Sequence, residues 1–338
     1  HPLLVHDLMA LEESSPPPAG GDFVRPFVLE IPGFLGRLVR LGPIVDAVLT
    51  RHDYPDPVAR LLGEFLALAG TLASLLKFEG TFTVQTKGDG PVGMMVADVT
   101  ADGELRGYAD VDRDRLEAEV AAGAPDQPNS ARLLGGGYMA FTVDPGGDSE
   151  RYQGIVEIAG ETLADFVHHY FRQSEQLKTG IKLSAGRVDG QWHAAGLLVQ
   201  QLPVDAEAWV PGAAAKPDAP AVLGSGEEDD WRRVQAFMAS CRDEELLDPA
   251  LAPDDLLYRL FHEERVRVYR TRPLSMGCRC SRARIETILR SLPRGEVEEM
   301  KIEGDVVMTC QFCNVDFRFD DAALEDLYAP ASASGAAL

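Results

Sequence analysis

Four of the five cysteines stand as two close pairs, Cys278-Arg279-Cys280 and Cys310-Gln311-Phe312-Cys313, with 29 residues between them. Pairs spaced in this way deliver two thiolates each from a turn, and four thiolates in a tetrahedron are a set that zinc prefers. The Cys-x-x-Cys half is common in such sites, whereas one intervening residue forces a tighter chelate. The surrounding segment, Thr271–Asp320, is too short to hold itself together by apolar burial alone. A structural zinc supplies roughly 10–16 kcal/mol of apparent binding energy at neutral pH, so this unit is predicted to fold around its metal.

A structural zinc ribbon is the plain reading of this pattern. Three details point beyond it, to redox chemistry. Arg279, Arg282 and Arg284 crowd the first pair, and nearby positive charge favours the nucleophilic thiolate. The segment carries eight acidic and eight basic residues, so this basic neighbourhood is local. The unit also follows an acidic, marginal stretch, and oxidising four thiolates would release both the metal and its folding energy. Cys241 lies in a predicted helix and is read as a small, partly buried hydrophobe, not a fifth ligand.

Upstream, the pattern is that of an α+β protein. Val58–Lys77 is almost wholly apolar and is expected to be a helix buried on most faces. Thr81–Thr86, Val92–Val99 and Leu105–Val111 read as a meander turning at Gly88-Asp89-Gly90-Pro91 and Asp102-Gly103. Tyr138–Val143 and Tyr152–Ile158 read as a hairpin, and so do Ile181–Val188 and Trp192–Gln201 around Asp189-Gly190. Leu163, Phe166, Val167, Tyr170 and Phe171 form one stripe on a helix over Glu161–Gln176. Tight turns between neighbouring strands imply a mainly antiparallel sheet with helices grouped on it.

Beyond Pro203 the character changes. Val210–Gly226 is rich in Pro, Ala and Gly, and two amphipathic helical stretches follow, Trp231–Leu247 and Pro253–Glu264. Pro203–Arg270 holds 15 acidic and 8 basic residues, a net of seven negative charges. The expected organisation is an N-terminal core at 1–202, a flexible insert and helical linker at 203–270, a C-terminal four-cysteine zinc unit at 271–329 and a disordered tail at 330–338.

Several function classes are disfavoured. The formal net charge of -22 repels nucleic-acid phosphates and anionic lipid. No apolar run is long enough to span a bilayer, and His1–Leu11 does not read as a signal peptide, so a cytoplasmic setting is expected. His168 and His169 are adjacent on a helix and point about 100 degrees apart, so they cannot share a metal. Neither a nucleophile elbow nor a phosphate-binding loop is present: Gly224-Ser225-Gly226 and Lys87-Gly88-Asp89-Gly90-Pro91 lack the required spacing.

Separated segments across the chain resemble the redox-regulated holdase chaperones of the heat shock protein 33 family. They are His52-Asp53-Tyr54-Pro55-Asp56-Pro57-Val58, Leu76-Lys77-Phe78-Glu79-Gly80, Gly88-Asp89-Gly90-Pro91, Glu150-Arg151-Tyr152-Gln153-Gly154, Tyr170–Gln176, Tyr258–Glu264 and the two cysteine pairs with Ser281-Arg282. The likeness implies an α+β core, a helical linker lying on it, and one zinc held by Cys278, Cys280, Cys310 and Cys313 in the reduced, inactive state. It further implies Cys278–Cys280 and Cys310–Cys313 disulfides on oxidation, zinc release, unfolding of the linker, homodimerisation and ATP-independent binding of unfolding client proteins. No catalytic residue is implied. The alternatives from the residues alone are a thiol–disulfide oxidoreductase, which needs a Cys-x-x-Cys opening a helix in a βαβ setting, and a zinc-ribbon binding protein.

Overall fold

The computed structural model describes residues 20–31, 33–121, 129–147, 149–172, 177–201 and 225–329. Most of Ser14–Gly21 and Val210–Gly226, the end of the Glu161–Gln176 helix and the tail from residue 330 lie outside the described residues. By contacts the chain divides into two compact units, one ending at Met276 and the other beginning at Gly277. This boundary falls a few residues beyond the one expected at Thr271, because 272–276 pair with strands of the first unit.

The first unit starts with two strands, β1 (Phe23–Leu29) and β2 (Phe34–Leu41), which are buried on both faces. Helix α1 (Pro43–Arg51) follows, and the Asp22 carboxylate accepts from Gly42 N at 2.8 Å at its start. Helix α2 (Asp56–Ala73) is buried along nearly its whole length, as its apolar sequence implies. The meander is β3 (Thr81–Gly88), β4 (Val92–Thr100) and β5 (Glu104–Val111). Helices α3 (Arg113–Ala121) and α4 (Ser130–Leu134) lead to the hairpin β6 (Gly137–Asp144) and β7 (Tyr152–Glu157). Helix α5 (Leu163–Tyr170) opens with a Thr162/Asp165 capping box and precedes the long hairpin β8 (Lys178–Val188) and β9 (Gln191–Gln201).

Then come α6 (Ser225–Ala239), α7 (Asp243–Leu247) and α8 (Pro253–Phe261), and the short strands β10 (Val266–Val268), β11 (Arg272–Pro273) and β12 (Ser275–Met276). Two sheets result. One runs β10-β1-β2-β9-β8, with β11 also on β1; the other runs β12-β5-β4-β3-β6-β7. Every pairing in them is antiparallel except that of β12 with β5. Helix α2 touches strands of both sheets, which is why it is apolar around most of its surface.

The β1-β2-β9 sheet is covered twice. Residues of one parity, among them Val24, Leu35, Val39 and Leu198, join the main core with α1 and α2. Those of the other parity, Phe27, Leu29, Phe34, Leu38, Leu197 and Val199, join a second core completed by Trp231, Val234, Met238, Leu256, Leu257, Leu260 and Phe261 of α6 and α8. Phe27 stacks on Phe261 and Phe34 on Trp231, with ring centroids 5.6 and 6.1 Å apart. Gly36 makes this packing possible: a Cβ there would sit 2.0 Å from the Phe27 ring.

Charge fixes the same layer. Arg25 is fully buried, and its guanidinium holds both Asp254 carboxylate oxygens at 2.8 and 2.5 Å. It also donates to Tyr269 O and Thr271 Oγ1, both at 2.8 Å. Arg40 donates to Leu251 O and, at 3.0 Å, to Glu245 O. Lys178 pairs with Glu228 at 2.6 Å and Lys182 with Asp243 at 2.7 Å.

One expectation is corrected in this layer. Trp231–Leu247 is not one helix, because Ser240–Arg242 breaks it and the Glu245 carboxylate accepts from Arg242 N at 3.1 Å to start α7 afresh. Strands β1 and β2, not named from the sequence, are doubly buried and so carry no alternating pattern to mark them.

Glu64 of α2 faces Asp243 of α7, with Arg60 on its own helix, and lines a cavity with His168 of α5 and Lys182 of β8. Burial, then Asp243, push its carboxyl up to about 7, with Arg60 opposing. A raised folded-state value favours the neutral form, so this stabilisation is present below pH 4.5 and lost as the pH rises through 7. Glu64→Gln is therefore expected to stabilise the first unit by on the order of 1–3 kcal/mol at pH 8 and by much less at pH 5, measured by urea unfolding. An equal gain at both pH values would contradict this assignment.

Candidate metal centre

The second unit is built around a three-stranded antiparallel sheet. Helix α9 (Arg282–Arg290) and helix α10 (Arg294–Glu299) lead to β13 (Lys301–Ile302), β14 (Asp305–Thr309) and β15 (Asp316–Phe319), and helix α11 (Asp321–Tyr328) closes it. Helix α10 runs up to Glu299. Pro293 stands at its N-cap, Arg294 and Glu298 pair at i, i+4, and Val297 is buried. The β13–β14 turn lies at Glu303-Gly304, where φ is positive at both residues.

The first cysteine pair lies in extended chain just before α9. Ser281 caps that helix, its hydroxyl accepting from Arg284 N at 3.2 Å, so Cys280 lies beside the positive end of the helix dipole. The second pair lies in the β14–β15 connection. Asn314 N donates to Cys310 O at 2.8 Å and Cys310 N to Val315 O at 3.0 Å, and Asn314 takes a positive φ of 53°. These bonds curl the loop so that both thiols point to one side.

The four sulfur atoms come together, all within 4.8 Å of one another. Cys278 and Cys280 Sγ are 3.2 Å apart, Cys278 and Cys310 are 3.6 Å apart, and Cys280 and Cys313 are 3.4 Å apart. A tetrahedron with metal–sulfur bonds of about 2.3 Å has edges of about 3.8 Å, so the cluster is of the right size for one ion. All five cysteines are free thiols. Burial pushes the Cys278 thiol up, but hydrogen bonds from the Cys280 backbone and the other thiols outweigh it and bring it to about 7. Burial and the neighbouring thiols push Cys280 up, and burial likewise raises Cys313. Of these three thiols, Cys278 therefore gives up its proton first, and Cys280 and Cys313 later.

The three arginines have different settings. Arg282 lies over the Phe319 ring at 4.3 Å, donates to Arg318 O at 3.0 Å and pairs with Glu286 at 3.2 Å, tying the first pair's helix to β15. Arg279 and Arg284 carry exposed side chains. Cys241 is in the other unit, buried against the sheet beneath α6 and α7, where burial raises its thiol. His168 accepts from the chain at Ile181 N, 3.2 Å away, and is not part of a metal cluster among the described residues.

The apolar core of this unit is small: Leu289, Val297, Val306, Phe319, Leu324 and Leu327. Two of these six come from α11, a helix not expected from the sequence. Its signals are Asp320, whose carboxylate caps Ala323 N at 2.8 Å, and the spacing of Leu324, Leu327 and Tyr328. The Tyr328 hydroxyl donates to Leu289 O and Leu292 O, binding the last helix back onto the first.

A sequence model of the Hsp33 protein family matches residues 22–320. The chain belongs to the Hsp33 family. It is 42% identical over 305 residues to the 33 kDa chaperonin of Caulobacter vibrioides, covering 88% of this chain and 95% of that one. It is 37% identical over 312 residues to the 33 kDa chaperonin of Pseudomonas fluorescens, covering 92% and 94%. The crystal structure of the 33 kDa chaperonin (heat shock protein 33 homolog) of Thermotoga maritima has the same fold, with a TM-score of 0.70 at 21% identity, over 90% of this chain and 97% of that one. The protein is thus an α+β member of a chaperone family, with a cysteine cluster fit for a metal. Among the described residues no helix is long and apolar enough to cross a membrane.

Cobalt titration of the reduced, metal-free protein is expected to give one ion per chain with thiolate charge-transfer absorption, and Cys280→Ser or Cys313→Ser to lose part of that absorption and weaken binding at least about tenfold. Leu324→Ala is expected to destabilise the second unit by about 2–4 kcal/mol, seen as a lower midpoint for metal loss on heating.

Proposed function

We propose that the protein is an ATP-independent holdase, silent while reduced and switched on when oxidants open the thiol centre. The observation that carries this reading is the four-thiol cluster in a unit with a six-residue apolar core, joined without a spacer to strands that hold down an amphipathic linker. Cys278 stands two residues after Met276, the last residue of β12. Cys278, Cys280, Cys310 and Cys313 would hold one zinc, which as a closed structural site supplies folding energy and no reaction chemistry.

In the oxidised state the cysteines pair as Cys278–Cys280 and Cys310–Cys313. This near-neighbour pairing is what the resemblance to the Hsp33 family implies, and the 3.2 Å between the Cys278 and Cys280 sulfurs is compatible with it. Each disulfide forms when a thiolate attacks the peroxide O–O bond, becoming a sulfenic acid, and the second thiolate displaces its oxygen as water. Two electrons pass from the pair to one peroxide, and two peroxides consume all four thiolates. Arg279 and Arg284, exposed beside the first pair, add positive charge that favours its thiolate form, and Arg282 acts mainly as a brace.

Without the metal the small core cannot keep the second unit folded, and the chain from 266 to 276 loses its anchor. Strands β10, β11 and β12 are only two or three residues long, and beyond their ladders Val266 and Val268 add partly buried packing on the second core and Met276 on the main one. Their release frees Tyr269 and Thr271 from Arg25, and the linker helices follow. What is uncovered is the second face of the β1-β2-β9 sheet, together with the apolar stripes of α6 and α8. These surfaces bind unfolding client proteins, and a second copy of the chain can cover the same faces, which accounts for homodimerisation on oxidation. The three regions act as core, linker and zinc switch, in a cytoplasmic setting, with no enzymatic step.

The test is suppression of aggregation of a heat-labile client before and after peroxide, with released zinc measured in the same samples. Suppression that appears only with metal release supports the reading, whereas equal suppression by the reduced protein contradicts it. Trp231→Ala, which empties the site opposite Phe34, is expected to loosen the linker by about 3 kcal/mol and to give partial activity without oxidant.

A further inference from the structure

The face under the linker is not merely apolar, and its charge has a sign. By strand alternation, the side chains of β1, β2 and β8 that point toward the linker include Arg25, Arg40, Lys178 and Lys182, which frame the apolar patch around Phe27, Phe34 and Leu38. Each of these cations meets an acceptor on the linker. Asp254, Glu228 and Asp243 supply carboxylates, and Glu245 and Leu251 supply carbonyl oxygens. Over the apolar patch the sheet contributes the cations and the covering helices the acceptors; the reverse pairing, Glu30 with Arg265 and Arg267, lies at the β10 edge. The protein as a whole has a net charge of -22, so a cationic rim around an apolar face is a local exception to its composition.

We propose that this face selects clients by charge, taking amphipathic segments that pair an apolar stripe with flanking carboxylates, and that the linker occupies it as a built-in stand-in for such a segment. The proposal rests on the reading above that oxidation lifts the linker away. Once the linker is gone, Arg25 changes from a fully buried, bidentate ion pair to an unpaired cation beside apolar surface. A client carboxylate restores the lost pairing while its apolar residues cover Phe27 and Phe34, which a neutral or basic segment cannot do. Lys178 and Lys182 stand on the edge strand β8, where they are partly exposed and able to meet an arriving chain first.

The probe is a synthetic peptide of this chain's own Asp243–Phe261, set against the same peptide with its six carboxylates changed to amides. Binding of each to the oxidised full-length protein is followed by fluorescence anisotropy at low and high salt. The acidic peptide is expected to bind about tenfold more tightly at low salt, with the preference shrinking at high salt as surface ion pairs are screened. Lys182→Gln is expected to weaken binding of the acidic peptide by about threefold and to leave the amide peptide unchanged. Because the overall charge repels an acidic peptide, a preference for it has to arise from the local cations. Equal binding, or tighter binding of the amide peptide, overturns the proposal. A parallel aggregation assay on the same oxidised sample separates the two levels. Suppression without charge preference sinks the proposal alone, whereas absence of suppression removes the holdase reading and the proposal with it.

Discussion

Strands β1, β2 and β9 carry apolar side chains on both faces, so the sheet they form is stable in water only while something apolar lies on each side of it. On one side that cover is permanent. Helices α1 and α2 belong to the same continuous core as the second sheet, and α2 is buried along almost its whole length. On the other side the cover is α6, α7 and α8, which are amphipathic and carry exposed acidic residues along with their buried stripe. The first cover cannot leave without unfolding the domain; the departure of the second, on which the proposed function turns, costs one smaller core and a handful of ion pairs.

In the proposed function, that asymmetry gives the thiol cluster something to control. A four-thiolate metal site contributes folding energy comparable to the whole stability of a small domain, and it is lost when the thiolates are oxidised. The second unit has few other resources, since six buried side chains and the Tyr328 and Arg282 ties are its main internal contacts besides the three-stranded sheet. Short strands then connect this oxidisable unit to the removable cover. The elements in series are each weak in a different way, the first chemically and the second by its small extent.

Much of this is legible in the sequence. The cysteine spacing marks the cluster, and the structure brings those four sulfurs together. Alternation marks β3, turn residues bound β4 to β7, and Asp189-Gly190 fixes the β8–β9 turn, because those signals are local. The doubly buried β1 and β2 escape it, since a strand covered on both sides shows no alternation, and what covers it is distant in sequence. The break between α6 and α7 is hidden because helical spacing continues across it; only the Glu245 bond to Arg242 N reveals a new start. The pairing of cations on the sheet with acids on the linker is invisible for the same reason as the buried strands, as Arg25 and Asp254 are 229 positions apart. Helix α11 has a readable cap and stripe, yet its place in the metal unit's core depends on Leu289 and Leu292 far upstream.

The central claim is that the state of four thiols in one unit decides whether α6–α8 stay on the sheet of the other. Hydrogen exchange of the full-length protein, followed by mass spectrometry before and after peroxide, measures this directly. The account predicts that protection across residues 228–268 is lost together with that of 278–328, while α2 and β3 keep theirs. Full protection of α6–α8 in a protein whose four thiols are oxidised would contradict it.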